Sequence, residues 1–147
     1  MKILSVDYGD SRVGTALSDI LGISAHGFKT VPNKFYPKML ESIVSIINDN
    51  GVGKVVIGLP KNMDGTLGFR ADITKEFADD LQKALPDVEI IFWDERLTTV
   101  EAANYLNFTN TRGKARKNVI DTLAAEIILQ SYIDANKNVK ETDDGRK

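Results

Sequence analysis

Three short, largely apolar runs constrain the fold of this chain most strongly. Each spans six residues: 2–7 (KILSVD), 54–59 (KVVIGL) and 88–93 (VEIIFW). Runs of this kind are typical of strands whose two faces are both buried, as in the parallel sheet of an α/β domain. The sequence therefore predicts a layered domain in which helices cover a central sheet.

The rest of the chain supplies two further strands and a series of helices. Residues 12–19 and 23–31 alternate as strands do, and their short turns favour an antiparallel meander with the first strand. Apolar spacing and capping residues predict helices over residues 37–50, 68–85, 98–107 and 118–136. The order β-β-β-α-β-α-β-α-α predicts a ribonuclease H-like α/β fold. Its mixed five-stranded sheet combines a three-strand antiparallel meander with two parallel strands, and helices cover both faces.

The length of the chain and its composition limit the number of domains and exclude several kinds of site. With 147 residues, the sequence predicts one domain over 1–136 and a polar, disordered tail over 137–147. The chain has no cysteine and one histidine, which excludes thiolate metal sites, cysteine nucleophiles and His-rich metal centres. It has no apolar run long enough for a membrane span and no signal peptide at its N-terminus, so we expect a cytoplasmic protein without membrane contact.

Carboxylates follow two of the buried strands, where α/β folds place their sites. Asp7 ends the first strand, and Asp94 and Glu95 end the last one. Neighbouring residues of a strand point to opposite faces, so one of Asp94 and Glu95 is expected to face Asp7. Both positions share their face with apolar residues, so the alternation does not decide between them.

Asp121 is a further candidate, on the last predicted helix. It falls on the same apolar arc as Ala125, Ile128 and Tyr132, where an unpartnered carboxylate is costly. A divalent cation shared with Asp7 is one possible partner. The other reading is a helix cap, in which Asn118 is the N-cap residue and Asp121 lies in the first turn.

Carboxylates from three elements, without His or Cys, favour a hard cation such as Mg²⁺ or Mn²⁺. Such a site suits phosphodiester hydrolysis with two metal ions, and nearby cations would hold the phosphates. An island of four cations without an acid lies between residues 109 and 120, although most charge runs are simply solvated. The candidate phosphate contacts are Arg12, Lys61, Arg96, Arg112, Lys114, Arg116 and Lys117.

Four motifs in register resemble the YqgF family of ribonuclease H-fold nucleases, relatives of the RuvC Holliday-junction resolvases. They are Asp7-x-Gly9-x-x-Arg12-x-Gly14, Val56-Ile57-Gly58-Leu59-Pro60-x-x-Met63-x-Gly65, Asp94-Glu95-Arg96-Leu97-Thr98-Thr99 and Asp121-x-x-Ala124-Ala125-x-x-Ile128-Leu129-Gln130-x-Tyr132. The resemblance implies a divalent-metal-dependent endonuclease. Its acidic triad would be Asp7, Glu95 and Asp121, with Asp94 at an acidic position of less defined role. True resolvases carry a catalytic Glu near the end of the fourth strand, where this chain has Gly58-Leu59-Pro60.

The function implied by this resemblance is processing of the 5′ end of the 16S rRNA precursor, with structured RNA as the substrate. The first alternative is a Holliday-junction resolvase acting on branched DNA, which requires a homodimer. The second is a non-catalytic RNA-binding factor in ribosome assembly. A third, ATP binding as in the sugar-kinase and Hsp70 superfamily, is disfavoured because that fold pairs two such domains.

Overall fold

The structure is a computed structural model that describes residues 1–60, 68–95 and 114–145, with side chains at 1–60, 68–95 and 122–137. The elements are β1 (Lys2–Asp7), β2 (Arg12–Ser18), β3 (Ala25–Pro32), α1 (Tyr36–Asp49), β4 (Val52–Leu59), α2 (Phe69–Ala84), β5 (Glu89–Asp94) and α3 (Lys114–Gly145).

The five strands form one mixed sheet in the order β3-β2-β1-β4-β5. The pairs β1–β2 and β2–β3 are antiparallel, and β1–β4 and β4–β5 are parallel. This confirms the predicted meander followed by two parallel strands. The carboxyl ends of β1, β4 and β5 consequently meet at one edge of the sheet, which we call the carboxyl edge.

Alternation along the central strands sends side chains into two separate cores. On one face, Leu4 and Val6 of β1 pack in a cluster with residues of α1 and α2, including the fully buried Phe77. On the other face, Val56 of β4 packs with Ala125 and Leu129 of α3. The helices of the described chain therefore cover both faces, as predicted, and α3 is the helix on the second face.

Polar side chains fix α3 across the meander. The Ser5 hydroxyl donates to the Ala125 carbonyl at 2.6 Å. Glu126 Oε1 accepts the Gly27 N–H at 2.6 Å, and Gln130 Oε1 accepts the Ala25 N–H at 3.1 Å. These two acceptors satisfy amides on the outer side of the edge strand β3, which protects that edge from pairing with another chain.

The last helix is longer at both ends than the sequence predicts. It begins at Lys114, so the segment holding Lys114, Arg116 and Lys117 is helical rather than a loop. It continues to Gly145, where the sequence predicts a disordered tail from residue 137. Lys and Glu are good helix formers, so a polar segment can extend a helix that is already anchored, without an apolar face of its own. The boundary between domain and tail stays a prediction.

The predicted helix over residues 98–107 lies outside the described residues. Within the part of the chain that is described, no helix is both long and apolar enough to cross a membrane.

Candidate active site

Asp7 and Glu95 approach each other on the α3 face of the sheet, at the carboxyl edge. Ser5 bonds to α3, and Asp7 lies two residues further along β1, so it faces the same way. Ile91 and Trp93 of β5 pack against the α3 cluster, and Glu95 continues their alternation. The structure therefore resolves what the sequence left open: Glu95, rather than Asp94, faces Asp7.

Gly58 leaves the space that the Glu95 carboxylate occupies. It lies on β4, between β1 and β5, one residue beyond the pairing of Val6 with Ile57. A Cβ atom added at Gly58 would lie 2.9 Å from Glu95 Oε1 and 2.5 Å from Ile128 Cδ1. The Glu95 side chain thus extends over the bare backbone of the middle strand, toward Asp7.

The two carboxyl groups share an environment that opposes ionisation. Burial raises the pKa of Asp7, and the positive charge of Arg70 partly offsets this effect. Burial also raises the pKa of Glu95, and the nearby carboxylates of Asp7 and Asp94 raise it further, while Arg70 lowers it. Two acids that are partly withdrawn from water and close in space are typical of a functional site, and a cation between them would relieve the repulsion.

Arg70 is a functional candidate that sequence reasoning missed. It lies in the first turn of α2, and its guanidinium is 3.9 Å from the carboxylate of Asp10 in the turn after β1. Its charge acts on both Asp7 and Glu95. One signal was available in the sequence: a helix that follows a parallel strand begins near the carboxyl edge, so a basic residue in its first turn faces the site.

The direction of α3 brings the turn that contains Asp121 toward the same edge. Tyr132 of α3 lies beside Lys54, near the start of β4, whereas Ala125 lies over Ser5, midway along β1. Continuing one turn toward the N-terminus of α3 leads to Asp121 and to the end of β1. The capping alternative is wrong, because α3 already begins at Lys114 and Asn118 is inside the helix. The Asp121 side chain is outside the described residues, so its role as a ligand stays a prediction.

Of the other predicted site residues, the structure describes the side chains of only Arg12 and Asp94. Arg12 opens β2 at the carboxyl edge, and Asp94 ends β5 on the face opposite to Glu95. Lys61, Arg96 and Arg112 lie outside the described residues, as do the side chains of Lys114, Arg116 and Lys117. Among the side chains that are described, no three His, Asp or Glu residues form a group that could hold a metal ion. A third protein ligand at this edge, such as Asp121, would come from outside the described side chains.

Comparison with known proteins decides the family. Residues 1–135 match the family described as "RuvX: Holliday junction resolvase". The chain belongs to the RuvX family. This confirms the family expected from the four motifs, and with it the predicted class of enzyme, a nuclease that hydrolyses phosphodiester bonds.

Curated relatives match the RuvX chain over nearly their whole length. A protein of Halothermothrix orenii is 47% identical over 133 residues, which cover 90% of this chain and 94% of the relative. A protein of Staphylococcus haemolyticus is 44% identical over 136 residues, covering 91% and 96%. Both carry the description "Putative pre-16S rRNA nuclease".

Solved structures confirm the ribonuclease H-like fold. RuvC of T. thermophilus, in complex with a Holliday junction substrate, has a TM-score of 0.60 at 13% identity and covers 94% of this chain and 96% of its own. The fowlpox virus Holliday junction resolvase has a TM-score of 0.57 at 12% identity, covering 92% and 99%. At such identities the likeness concerns the fold.

Gly58→Ala tests whether the site depends on the missing side chain of β4. The new Cβ would press on Ile128, which is 3% exposed and has no room to move, and on the Glu95 carboxylate. We expect a loss of about 1–3 kcal/mol in the free energy of unfolding, measured by urea denaturation. Gly53→Ala on the same strand is the matched control, because the three atoms nearest to its Cβ all belong to the exposed Met1 side chain, which can move away. Equal losses in the two variants would contradict this account of Gly58.

Glu95→Gln tests the electrostatics of the site. Because the pKa of Glu95 is raised on folding, its ionised form destabilises the folded protein at neutral pH. In thermal unfolding without divalent metal, we expect the Gln variant to be more stable than wild type at pH 7. The advantage should shrink as the pH falls through the raised pKa, and vanish below the ordinary pKa of a free glutamate. Glu41→Gln, on an exposed position of α1, should leave stability unchanged. A Gln variant that is less stable at every pH would contradict the prediction.

Proposed function

We propose that this RuvX chain is a divalent-metal-dependent endonuclease that processes the 5′ end of the 16S rRNA precursor in the cytoplasm. The observation that carries the proposal is the approach of Asp7 and Glu95 at the carboxyl edge, in a chain whose relatives share the pre-16S rRNA nuclease description. Placing like charges together in partial burial has no stabilising purpose, and it is a common way to prepare a site for a cation.

The donor set fits Mg²⁺ or Mn²⁺. Asp7 and Glu95 offer carboxylate oxygens only, and the single histidine of the chain, His26, lies on β3 away from the carboxyl edge. Asp121 is the proposed third ligand, and Asp94 would support the site from the neighbouring position. When bound, the metal ions would lower the pKa of a water molecule and stabilise the charge of the leaving oxygen.

The chain's own residues would position the substrate. Asp7 is held by the end of a central strand, and Glu95 is held over Gly58, so both carboxylates are fixed relative to the sheet. Arg12 begins β2 at this edge, and the direction of α3 would carry its N-terminal turns, with Lys114, Arg116 and Lys117, beyond the same edge. These cations, with Lys61, Arg96 and Arg112, are the proposed contacts to the phosphate backbone of structured RNA.

Gly58 bears on the choice between RNA processing and junction resolution. By its resemblance to true resolvases, the chain would need a glutamate near the end of β4, and it has Gly58 instead. Glu95, which follows β5, has its carboxylate next to that glycine. It would supply a ligand in the same region, which supports a nuclease whose site differs in detail from that of the resolvases.

Resolution of branched DNA remains the second candidate, because the family description names Holliday junction resolvases and the fold matches RuvC. This activity requires two sites that act on opposite strands, hence a homodimer. Cleavage of four-way DNA by a dimeric form, with no cleavage of the rRNA precursor, would favour it.

Asp7→Asn tests the proposed function. With a 5′-extended 16S rRNA precursor and Mn²⁺, we expect wild type to cleave and Asp7→Asn to lose cleavage by at least about 10³-fold, because the amide cannot replace an anionic metal ligand. The amount of cleaved product over time, separated on a denaturing gel, measures the rates.

The matched control for this experiment is Asp87→Asn. Asp87 is exposed and precedes β5, at the end of the sheet opposite to the carboxyl edge, so its variant should cleave as wild type does. Full activity of Asp7→Asn would contradict the assignment of Asp7. Absence of cleavage by wild type, also on assembled pre-ribosomal particles, would favour the non-catalytic RNA-binding alternative.

A further inference from the structure

Arg70 is an exposed cation near the two carboxylates, and it contributes little to the stability of the fold. Its side chain is 69% exposed, and its ion pair with Asp10 is long, at 3.9 Å, with Asp10 itself 75% exposed. Long, exposed ion pairs of this kind contribute little to stability. This weak ion pair gives the guanidinium only a small structural role at this point of the carboxyl edge.

The guanidinium of Arg70 has more N–H donors than its ion pair with Asp10 uses. With the described residues, the guanidinium makes one ion pair, on the side of Asp10. A guanidinium has five N–H donors in a planar fork that matches two oxygens of a phosphate group.

The position of Arg70 in its helix suits an anionic ligand. It lies in the first turn of α2, where the partial positive charge of the helix adds to its own. Because α2 packs on the side of the sheet opposite to α3, Arg70 reaches the carboxyl edge from the opposite direction to Asp121. Arg70 would therefore contact, from the side of α2, a phosphate group that metal ions hold at Asp7 and Glu95.

We propose that Arg70 contacts the phosphate group that is cleaved, and that Asp10 positions its guanidinium for this contact. This inference rests on the proposed nuclease function and adds a residue to it. The contact would hold non-bridging oxygens of the phosphate through paired N–H donors, and it would neutralise charge that develops on them during hydrolysis. Lysine offers the charge without the fork, so it should replace Arg70 only in part.

The experiment compares Arg70→Ala, Arg70→Lys and Asp10→Asn with wild type in cleavage of the rRNA precursor with Mn²⁺. We expect Arg70→Ala to lower kcat by about 10²-fold or more, as removal of one donor to a transition-state oxyanion does. Arg70→Lys should recover part of the loss, and Asp10→Asn should show a smaller loss. Lys83→Ala, an exposed cation in the last turn of the same helix, is the matched control and should cleave as wild type does.

Two further readouts separate this contact from a structural role. Thermal unfolding of Arg70→Ala is measured with saturating Mn²⁺, which relieves the repulsion between Asp7 and Glu95, and it should match wild type because the ion pair with Asp10 is weak. Calorimetric titration with Mn²⁺ should show affinity equal to or higher than that of wild type, because a cation beside the ligands is gone. Wild-type kcat in Arg70→Ala would overturn the proposal, as would a loss of cleavage that is matched by a loss of stability or of Mn²⁺ affinity.

If wild type does not cleave the precursor, RNA binding provides a second readout for the contact of Arg70. With Ca²⁺ in place of Mn²⁺, the affinity for a labelled precursor fragment is measured against salt concentration. Loss of one phosphate contact in Arg70→Ala should reduce the slope of log affinity against log salt by about 0.7–0.9. In Lys83→Ala the slope should stay as in wild type. An unchanged slope in Arg70→Ala would overturn the contact. A reduced slope without cleavage by wild type would retain the contact and reject the nuclease.

Discussion

The carboxylates of Asp7 and Glu95 are held near each other although both are partly withdrawn from water, and the rest of the site is arranged around this repulsion. Burial raises the pKa of both carboxyl groups, and the charge of Asp7 raises the pKa of Glu95 further. The sheet maintains the arrangement because the two residues end strands on either side of β4, and Gly58 leaves room for Glu95 to cross it. The packing of the two cores therefore has to outweigh the unfavourable burial of these two carboxylates.

The packing of α3 determines which face of the sheet becomes the site. Its hydrogen bonds to β1 and to the edge strand β3 fix the helix along the meander, and Ile128 closes the space above Gly58. Glu126 therefore has a structural task on the helix that bears Asp121. A ligand on α3, such as the predicted Asp121, would be positioned by these contacts at Ala125 and Glu126, about one helical turn away.

Much of this arrangement could be predicted from the apolar runs of the sequence and from the residues that end them. Largely apolar runs predicted β1, β4 and β5, and carboxylates at the ends of those runs predicted Asp7 and the pair Asp94–Glu95. The prediction that both faces of the last strand are buried was wrong, because β5 lies at the edge of the sheet and is only partly covered. The choice of Glu95 needed the structure, since both faces of β5 are apolar and only the position of α3 distinguishes them. Arg70 was missed because its role depends on where a helix begins in space. The early start of α3 was missed because cations suggested a solvated loop, although Lys and Arg also form helices.

The central claim is that Asp7 and Glu95 hold a divalent cation at the carboxyl edge, and anomalous diffraction from crystals soaked in Mn²⁺ tests it most directly. The account predicts an anomalous peak bounded by oxygens of Asp7 and Glu95, completed by Asp121 of α3, with distances near 2.2 Å as hard cations require. The same peak should be absent from crystals of Asp7→Asn. A wild-type crystal with no peak at this edge, or with Mn²⁺ bound only at other carboxylates, would contradict it.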